Sequence, residues 1–476
     1  MRIAILSSEV VPFAKTGGLA DVTGALPKAL SGHGVDARVI LPLYQPIDRQ
    51  LLSDKVIEEV PVEWRGQVRP TRVYQSDAAG APAYLIDAPD FFSQSSIYGY
   101  RNDHERFAFF SRAALALLKH LDWQPDIIHG NDWPCGFAMV ELRARRRYQE
   151  FFRATKTLFS IHNLAYQGAF DPADLWWLGF GELPERDDFM LKGTASALKA
   201  GLLAADALST VSRRYAQEIQ TPENGNGLDW ILRARRDRLA GITNGVDYEV
   251  WNPETDPHIA QNFSAADLSG KLACKLDLLR RFGLPAEPER PIIAIISRLV
   301  AQKGYDLIRQ LNGAIIQTGA FFIALGAGAS EYEDFLQRWR DSAPRQVGIY
   351  KGYAGEPLAH QIEAGADIFL MPSLYEPCGL NQLYSMRYAT VPIVRATGGL
   401  DDTVENFDPQ RGSGNGFKFH DYNAGALLEK IREALYFYSR PEAWLQIQRN
   451  GLARDNSWAA AAHKYVELYQ EIIALP

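Results

Sequence analysis

The chain has 476 residues, 47% of them hydrophobic and 22% charged, with a formal net charge of −7. That length exceeds one ordinary hydrophobic core and calls for two large domains or more. The acidic balance and the lack of a basic block speak against nucleic acid or an anionic membrane as partner, and three scattered cysteines, Cys135, Cys274 and Cys378, speak against a disulfide framework.

Taken in chain order, the first element is an apolar strand over Ile3–Leu6. A loop, Lys15-Thr16-Gly17-Gly18-Leu19-Ala20-Asp21, then leads into a helix-like segment from Leu19 to Leu30. Two adjacent glycines let a backbone approach a bulky ligand. The helix start offers N–H groups to an anion, and Lys15 adds a full charge beside them. Short apolar strands follow at Arg38–Leu41, Ala83–Ile86, Ile127–Ile128, Thr157–Ile161 and Ala207–Val211. Asn244 to Asp256 contains proline and asparagine and reads as an interdomain linker. Beyond it come strands at Pro291–Ile296, Phe321–Leu325, Gly348–Lys351, Ile368–Met371 and Val391–Val394, and a helical period from Trp458 to Leu475.

Strands alternating with helices predict parallel sheets covered on both faces, an α/β fold of two doubly wound, Rossmann-like domains. The expected bounds are 1–244, 245–456 and a last helix, 457–476, that crosses back to the first domain. Ligands of such sheets bind beyond the carboxyl ends of the strands, and two sets of strand ends facing each other would make one cleft that closes in turnover. Gly326-Ala327-Gly328 follows a strand, but Glu331 stands at the third position of the G-x-G-x-x-G pattern. A nicotinamide cofactor is therefore not expected. Nor is a metal, since no C-x-x-C or H-E-x-x-H spacing occurs. No apolar run nears the ~18 residues of a membrane span, and a strand starting at the second residue leaves no room for a leader. The expectation is a cytoplasmic protein.

The residues placed just after strands carry the chemistry. Arg298 and Lys303 share one short loop, where two cations can hold a diphosphate without a metal. Glu376 lies at a strand–loop–helix junction, with a helix starting near Gly379-Leu380; its carboxylate can accept hydroxyl groups of a ligand while that helix start donates to an anion. Cys378 beside it reads as a small packing residue. Thr397-Gly398-Gly399 precedes another helix start. Tyr353 is a candidate to stack on a base. His162 ends one strand of the first half and Asp132 another, and Tyr98, Tyr100 and Trp133 are aromatic candidates to pack on a ligand.

These motifs together resemble the glycogen and starch synthases. The resemblance rests on K-T-G-G-L at Lys15, DIIHGNDW at 126–133, SIHNLAYQG at 160–168, Asn244-Gly245-Val246-Asp247, SRLVAQKG at 297–304, MPSLYEPCGL at 371–380 and TGGL at 397–400, and it covers essentially the whole chain. It implies a glycosyltransferase B-type fold. It also implies retaining transfer of glucose from ADP-glucose to the non-reducing end of an α-1,4-glucan, with no metal and no further cofactor. By the same resemblance Lys15, Gly17 and Gly18 meet the diphosphate, and Arg298 and Lys303 clamp it. Glu376, Cys378, Gly379, Leu380, Thr397, Gly398 and Gly399 border the donor. His162 meets the donor glucose, and Asp132 meets glucose or acceptor. The chain departs from the commonest pattern at Asn131 and Pro134, where histidines are frequent, and at Asn381, where threonine is. Many retaining relatives carry a second glutamate eight positions after the first; Tyr384 stands there, as in glycogen and starch synthases. Two other readings stay open at this point: a different sugar-nucleotide enzyme of the same fold, of sucrose-type transfer or epimerisation, and a catalytically silent glucan-binding scaffold.

Overall fold

A computed structural model describes residues 1–145, 150–352 and 355–475. The chain divides into two compact units, Met1–Gly245 with Trp458–Pro476, and Val246–Ser457.

The first unit is built on nine strands: β1 (Arg2–Leu6), β2 (Asp36–Pro42), β3 (Val56–Trp64), β4 (Gln67–Ser76), β5 (Ala83–Asp87), β6 (Ile127–Asn131), β7 (Lys156–Ile161), β8 (Ala207–Thr210) and β9 (Leu239–Gly241). Their order is β9-β8-β7-β6-β1-β2-β5-β4-β3. The seven from β9 to β5 run parallel, with Ile3 paired to Ala37 on one side and Ile127 on the other. These parallel strands are apolar runs buried almost end to end, as expected when helices cover both faces. β3 and β4 are different. They form an antiparallel hairpin at the sheet edge, and the last residues of β3 alternate exposed and buried, so one face meets solvent. A small antiparallel sheet joins Ala169–Phe170, Thr194–Ser196 and Met190–Leu191.

The helix Trp458–Ile473 completes this unit, packing on the helix Gly18–Ser31 and on β7. Its buried side chains, Trp458, Ala461, Ala462, Tyr465, Tyr469 and Ile472, fall at helical spacing on one face. The Tyr469 hydroxyl lies 2.8 Å from His129 Nδ1 inside β6, and His129 Nε2 lies 2.5 Å from Ser160 Oγ in β7. Burial drives the His129 imidazole down to about 3, so this core contact is made by a neutral ring.

The second unit has six parallel strands, β10 (Ile292–Ile296), β11 (Phe321–Gly326), β12 (Val347–Lys351), β13 (Ile368–Met371), β14 (Val391–Arg395) and β15 (Phe417–Phe419), in the order β12-β11-β10-β13-β14-β15. Apolar clusters lie on both of its faces.

The stretch Asn244 to Asp256 is not the free linker expected of it. The boundary falls between Gly245 and Val246, and the rest is packed into the second unit. Trp251 is stacked between His360 and Tyr384, with ring centroids 3.9 Å away in both cases. The buried Asp256 carboxylate lies 2.6 Å from His360 Nδ1 and accepts from the Tyr388 hydroxyl at 2.5 Å. A large ring and a satisfied buried carboxylate outweigh the turn-like composition. Among the described residues, no helix is long and apolar enough to cross a membrane.

Candidate active site

In each unit the chain leaves a central pair of strands in opposite directions. From β1 it moves outward to β2 and β5; from β6 it moves to β7 and β8 on the other side. In the second unit β10 leads to β11 and β12, and β13 leads to β14 and β15. The loops that follow such a pair part from one another and leave a crevice at the strand ends. The loop after β1 carries Lys15 and Gly17; the loop after β6 carries Asp132. The loop after β10 carries Arg298 and Lys303, and the loop after β13 carries Glu376. The site candidates of each unit thus gather at its switch point and on the strand next to it, β7 with His162 and β14 with Thr397.

In the first unit one carboxylate that the sequence reading missed organises the loop after β1. Glu9 is buried, and its carboxylate accepts the backbone N–H of Thr16 at 2.5 Å and of Gly17 at 3.0 Å, together with the Thr16 hydroxyl at 2.8 Å. Its Oε1 also accepts the Tyr98 hydroxyl at 2.8 Å. Two backbone N–H groups of the loop that leads into the helix Gly18–Ser31 are therefore held by the protein. Gly17 itself stays open: a Cβ there would meet no protein atom within 4 Å, and its φ of −155° suits any residue. Packing does not require glycine at that point. Lys15 is exposed and reaches Asp21 at 2.6 Å. A lone acidic residue three positions past a strand and eight before a glycine pair was the signal available for Glu9.

Asp132 follows β6 with φ 55° and ψ −179°, a backbone region nearly reserved for glycine. Its N–H donates to the Ser160 carbonyl at 2.9 Å, and its Oδ1 accepts the His162 N–H at 2.7 Å. These bonds tie β6 to the start of the loop after β7 and hold the strained residue. Burial pushes the Asp132 carboxyl up to about 7 and the His162 imidazole down to about 4, favouring the neutral form of each. Asn131 sets the tautomer of His162. The Asn131 amide Nδ2 donates to the carbonyls of Leu6 at 3.0 Å and His129 at 3.4 Å, which turns Oδ1 toward His162 Nε2 at 2.9 Å. An acceptor at that distance makes Nε2 the protonated nitrogen and leaves Nδ1 as the acceptor.

The aromatic candidates mostly serve the protein. Tyr98 bonds to Glu9, Trp133 packs edge-on against Phe107 at 5.0 Å, and Tyr100 lies under the Arg106 guanidinium at 5.0 Å. Arg106 is fully buried and bonds the carbonyls of Phe91 and Ile97, anchoring the segment that carries both tyrosines.

In the second unit Lys303 Nζ donates to Glu376 Oε2 at 2.6 Å, and Ser373 Oγ donates to the same oxygen at 3.0 Å. Glu376 is buried, and its Oε1 takes no hydrogen bond from any described residue. The ammonium and the carboxylate are thereby fixed in one mutual geometry. Arg298 is exposed and takes part in no ion pair among the described residues. Gly304, at φ 78°, ends this loop, where a side chain would strike the Pro372 carbonyl, so the two loops pack backbone to backbone. The same holds for the third loop. A Cβ on Gly398, at φ 44°, would collide with the Glu376 carbonyl, and one on Gly399 with that of Cys378. Gly379 lies at φ 72° beside Leu400, and Thr397 stands at the N-cap position of the short helix Gly398–Thr403 without a side-chain capping bond. Cys378 is buried as a packing residue. Leu380 precedes the helix Asn381–Arg387, one to two residues after the expected start, and packs beside Leu383 and Met386.

The departures acquire local reasons. Asn381 Nδ2 lies 3.4 Å from Glu363, which also accepts the Ser385 hydroxyl at 2.7 Å. Burial pushes that fully buried Glu363 carboxyl up to about 8. Tyr384 is the ring stacked on Trp251. Tyr353 lies outside the described residues.

Two doubly wound α/β units with basic, glycine-rich loops at their switch points define a glycosyltransferase of the B-type fold. Residues 2–234 match the starch synthase catalytic domain family, and residues 279–450 match the glycosyl transferases group 1 family. The chain is 46% identical over 483 residues to a glycogen synthase of Koribacter versatilis, covering 99% of this chain and 98% of that one. It is 44% identical to a glycogen synthase of Moorella thermoacetica, covering 99% and 97%. The solved catalytic domain of starch synthase IV from Arabidopsis thaliana, bound to ADP and acarbose, superposes with a TM-score of 0.90 at 32% identity over 100% of this chain and 99% of that one. Sucrose-phosphate synthase from Thermosynechococcus elongatus, at 18% identity and a TM-score of 0.64 over 99% of each chain, shares the fold. The chain belongs to the glycogen and starch synthase family of hexosyltransferases.

Proposed function

We propose that this chain transfers glucose from ADP-glucose to the non-reducing end of an α-1,4-glucan with retention of configuration. The observation that carries the proposal is the second unit's switch point, where Lys303 and Glu376 are locked together beside the exposed Arg298. Breaking the bond between the anomeric carbon and the phosphate oxygen moves negative charge onto the diphosphate. Two cations in one loop stabilise that charge as it grows. Glu376 turns its unbonded oxygen to a sugar hydroxyl, and the hydrogen bond from Lys303 keeps that carboxylate oriented. The Arabidopsis relative was solved with ADP and with acarbose, which supports a nucleoside diphosphate donor and a glucan acceptor here.

In the first unit Lys15 and Gly17 border the diphosphate. His162, neutral with Nδ1 free to accept, takes a hydrogen bond from the donor glucose, and Asp132 binds glucose or acceptor. Among the described residues we assign no carboxylate as a nucleophile, and the reading favoured here has the leaving phosphate take the acceptor proton on the same face. No metal is needed for the diphosphate, because Arg298 and Lys303 supply the charge.

Parallel assays of glucosyl transfer to glycogen from ADP-glucose and UDP-glucose test the donor. An added α-linkage in the product, and activity undiminished by excess chelator, are the expected results. Transfer to fructose in place of glycogen points to the sucrose-type reading, and absence of ADP release with any acceptor points to a silent scaffold.

A further inference from the structure

The loop after β1 leaves the sheet at Leu6 and enters the helix at Gly18. Glu9 is fixed within it at both ends. Its carbonyl accepts the Ser7 hydroxyl at 2.7 Å and the Thr23 hydroxyl at 2.5 Å, which ties its main chain to the end of β1 and to the helix Gly18–Ser31. Gly24 lets that helix lie close on the loop, since a Cβ there would meet the Val11 carbonyl at 2.7 Å. From this anchored backbone the buried side chain reaches forward to the far end of the same loop. Oε2 takes the N–H groups of Thr16 and Gly17, and Oε1 takes the hydroxyls of Thr16 and Tyr98.

Tyr98 lies on a second loop that is itself braced. The N–H groups of the next two residues, Gly99 and Tyr100, donate to Asp103 Oδ2 at 2.8 and 3.2 Å. Asp103 Oδ1 accepts from the fully buried Arg106 at 2.5 Å, and Arg106 also donates to the Ile97 carbonyl at 2.9 Å. A continuous set of hydrogen bonds thus runs from the start of the helix Asp103–His120 through Tyr98 and Glu9 to the backbone that follows Lys15.

An ionised carboxyl group has room for about four hydrogen bonds, and Glu9 receives that many from the protein alone. None is left for a sugar hydroxyl. Its charge also has the same sign as a diphosphate, so it does not attract one. What it supplies is order: a turn already held in shape loses less freedom when a ligand docks on it.

We propose that Glu9 is a positioning residue for the donor, holding the Lys15–Gly17 turn in its binding shape through hydrogen bonds and not through charge. The inference rests on Lys15 and Gly17 bordering the diphosphate.

The test compares Glu9→Gln, Glu9→Asp and Glu9→Ala in the intact protein. Glutamine keeps the bonds and drops the charge: its carbonyl accepts the two N–H groups, and its amide donates to the two hydroxyl oxygens. Aspartate keeps the charge but is one methylene short of the turn. Calorimetric titration with ADP should show affinity within about twofold of wild type for Glu9→Gln, and a roughly ten-fold loss for Glu9→Asp and Glu9→Ala. The KM for ADP-glucose should follow the same order, with the KM for glycogen unchanged. Hydrogen exchange at the Thr16 and Gly17 amides should be slow in wild type and Glu9→Gln and fast in the other two. A glutamine variant as impaired as the aspartate one overturns the proposal, and so does an equal rise in both KM values. If Glu9→Ala does not fold, the glutamine–aspartate pair decides alone. Lys15→Ala separates this inference from the reading it rests on. Unchanged ADP affinity in that variant removes the diphosphate from the turn; weakened affinity there, with none lost in Glu9→Asp, removes only the role of Glu9.

Discussion

Two glycine pairs sit at the candidate site, and they are there for opposite reasons. Gly398-Gly399 is demanded by the protein: side chains there would run into the carbonyls of Glu376 and Cys378, and Gly398 has a positive φ. At Gly17-Gly18 the fold makes no such demand on Gly17, which has open space around it and an extended backbone. A glycine that packing does not need is a mark of something that must come close. The same contrast runs through the units. The second positions its charges by backbone-on-backbone packing around a buried ion pair. The first uses side-chain hydrogen bonds from Glu9, Asn131 and Asp132, with burial keeping His162 neutral.

The largest expected effect comes from Gly398→Ala. It drives a methyl into the Glu376 carbonyl at an unfavourable φ, and should cost about 3 kcal/mol of stability with near-complete loss of transfer. Denaturant unfolding and ADP-release assays measure the two. A variant as stable and active as wild type would show that the loops are not packed as described.

Next come the two cations, which separate charge from architecture. Arg298→Ala should lower turnover roughly 10- to 150-fold, the value of a ~1.5–3 kcal/mol charge-assisted bond to a growing anion, with melting unchanged because Arg298 is exposed. Lys303→Ala should lose a similar rate and also stability, since it strips a buried carboxylate of its partner. Equal melting curves for both variants would break the distinction.

Gly17→Ala should fold with a stability within about 0.5 kcal/mol of wild type, while the KM for the donor rises. Unchanged kinetics would remove the ligand from that turn.

The smallest change is Asn131→Asp, which sets a carboxylate beside His162 Nε2. The groups around that ring are His129, Asp132 and, through Asp132, Glu9. The wild-type imidazole, at about 4 in the fold against ~6.5 in the unfolded chain, binds its proton less readily when folded. Stability is therefore lost as pH falls from about 6.5 to about 4. The added charge should raise the folded value, narrow that window and move the acid limb of activity upward. Titration of ¹⁵N-histidine signals follows it directly, and an unshifted His162 would detach Asn131 from the tautomer.

The alternation of apolar runs announced both sheets, because a strand buried on two faces has little choice of composition. Hairpin β3–β4 was not read, since its alternating polar face looks like a loop between stronger signals. The site candidates Arg298, Lys303, Glu376, Asp132 and His162 stood out because each lies in the loop that follows an apolar strand. Glu9 was not, as its role depends on a loop folding back over seven residues. Asn131 was visible only as a departure from a pattern; its meaning lies in the Leu6 carbonyl, 125 positions away. The burial of Trp251 and Asp256 was not legible because turn-rich composition hides tertiary packing.

The helix Trp458–Ile473 belongs to the first unit although the whole second unit precedes it in the chain. A ribosome making this protein therefore releases β1 to β9 long before the helix that seals His129 and covers the helix Gly18–Ser31. Through that interval the first unit carries an uncovered apolar face, and the second unit can finish before the first. Vectorial synthesis here runs as a bracket, opened by the strands of the first unit and closed only after Ser457. A nascent chain halted before Trp458 should be the form that chaperones bind and proteases cut.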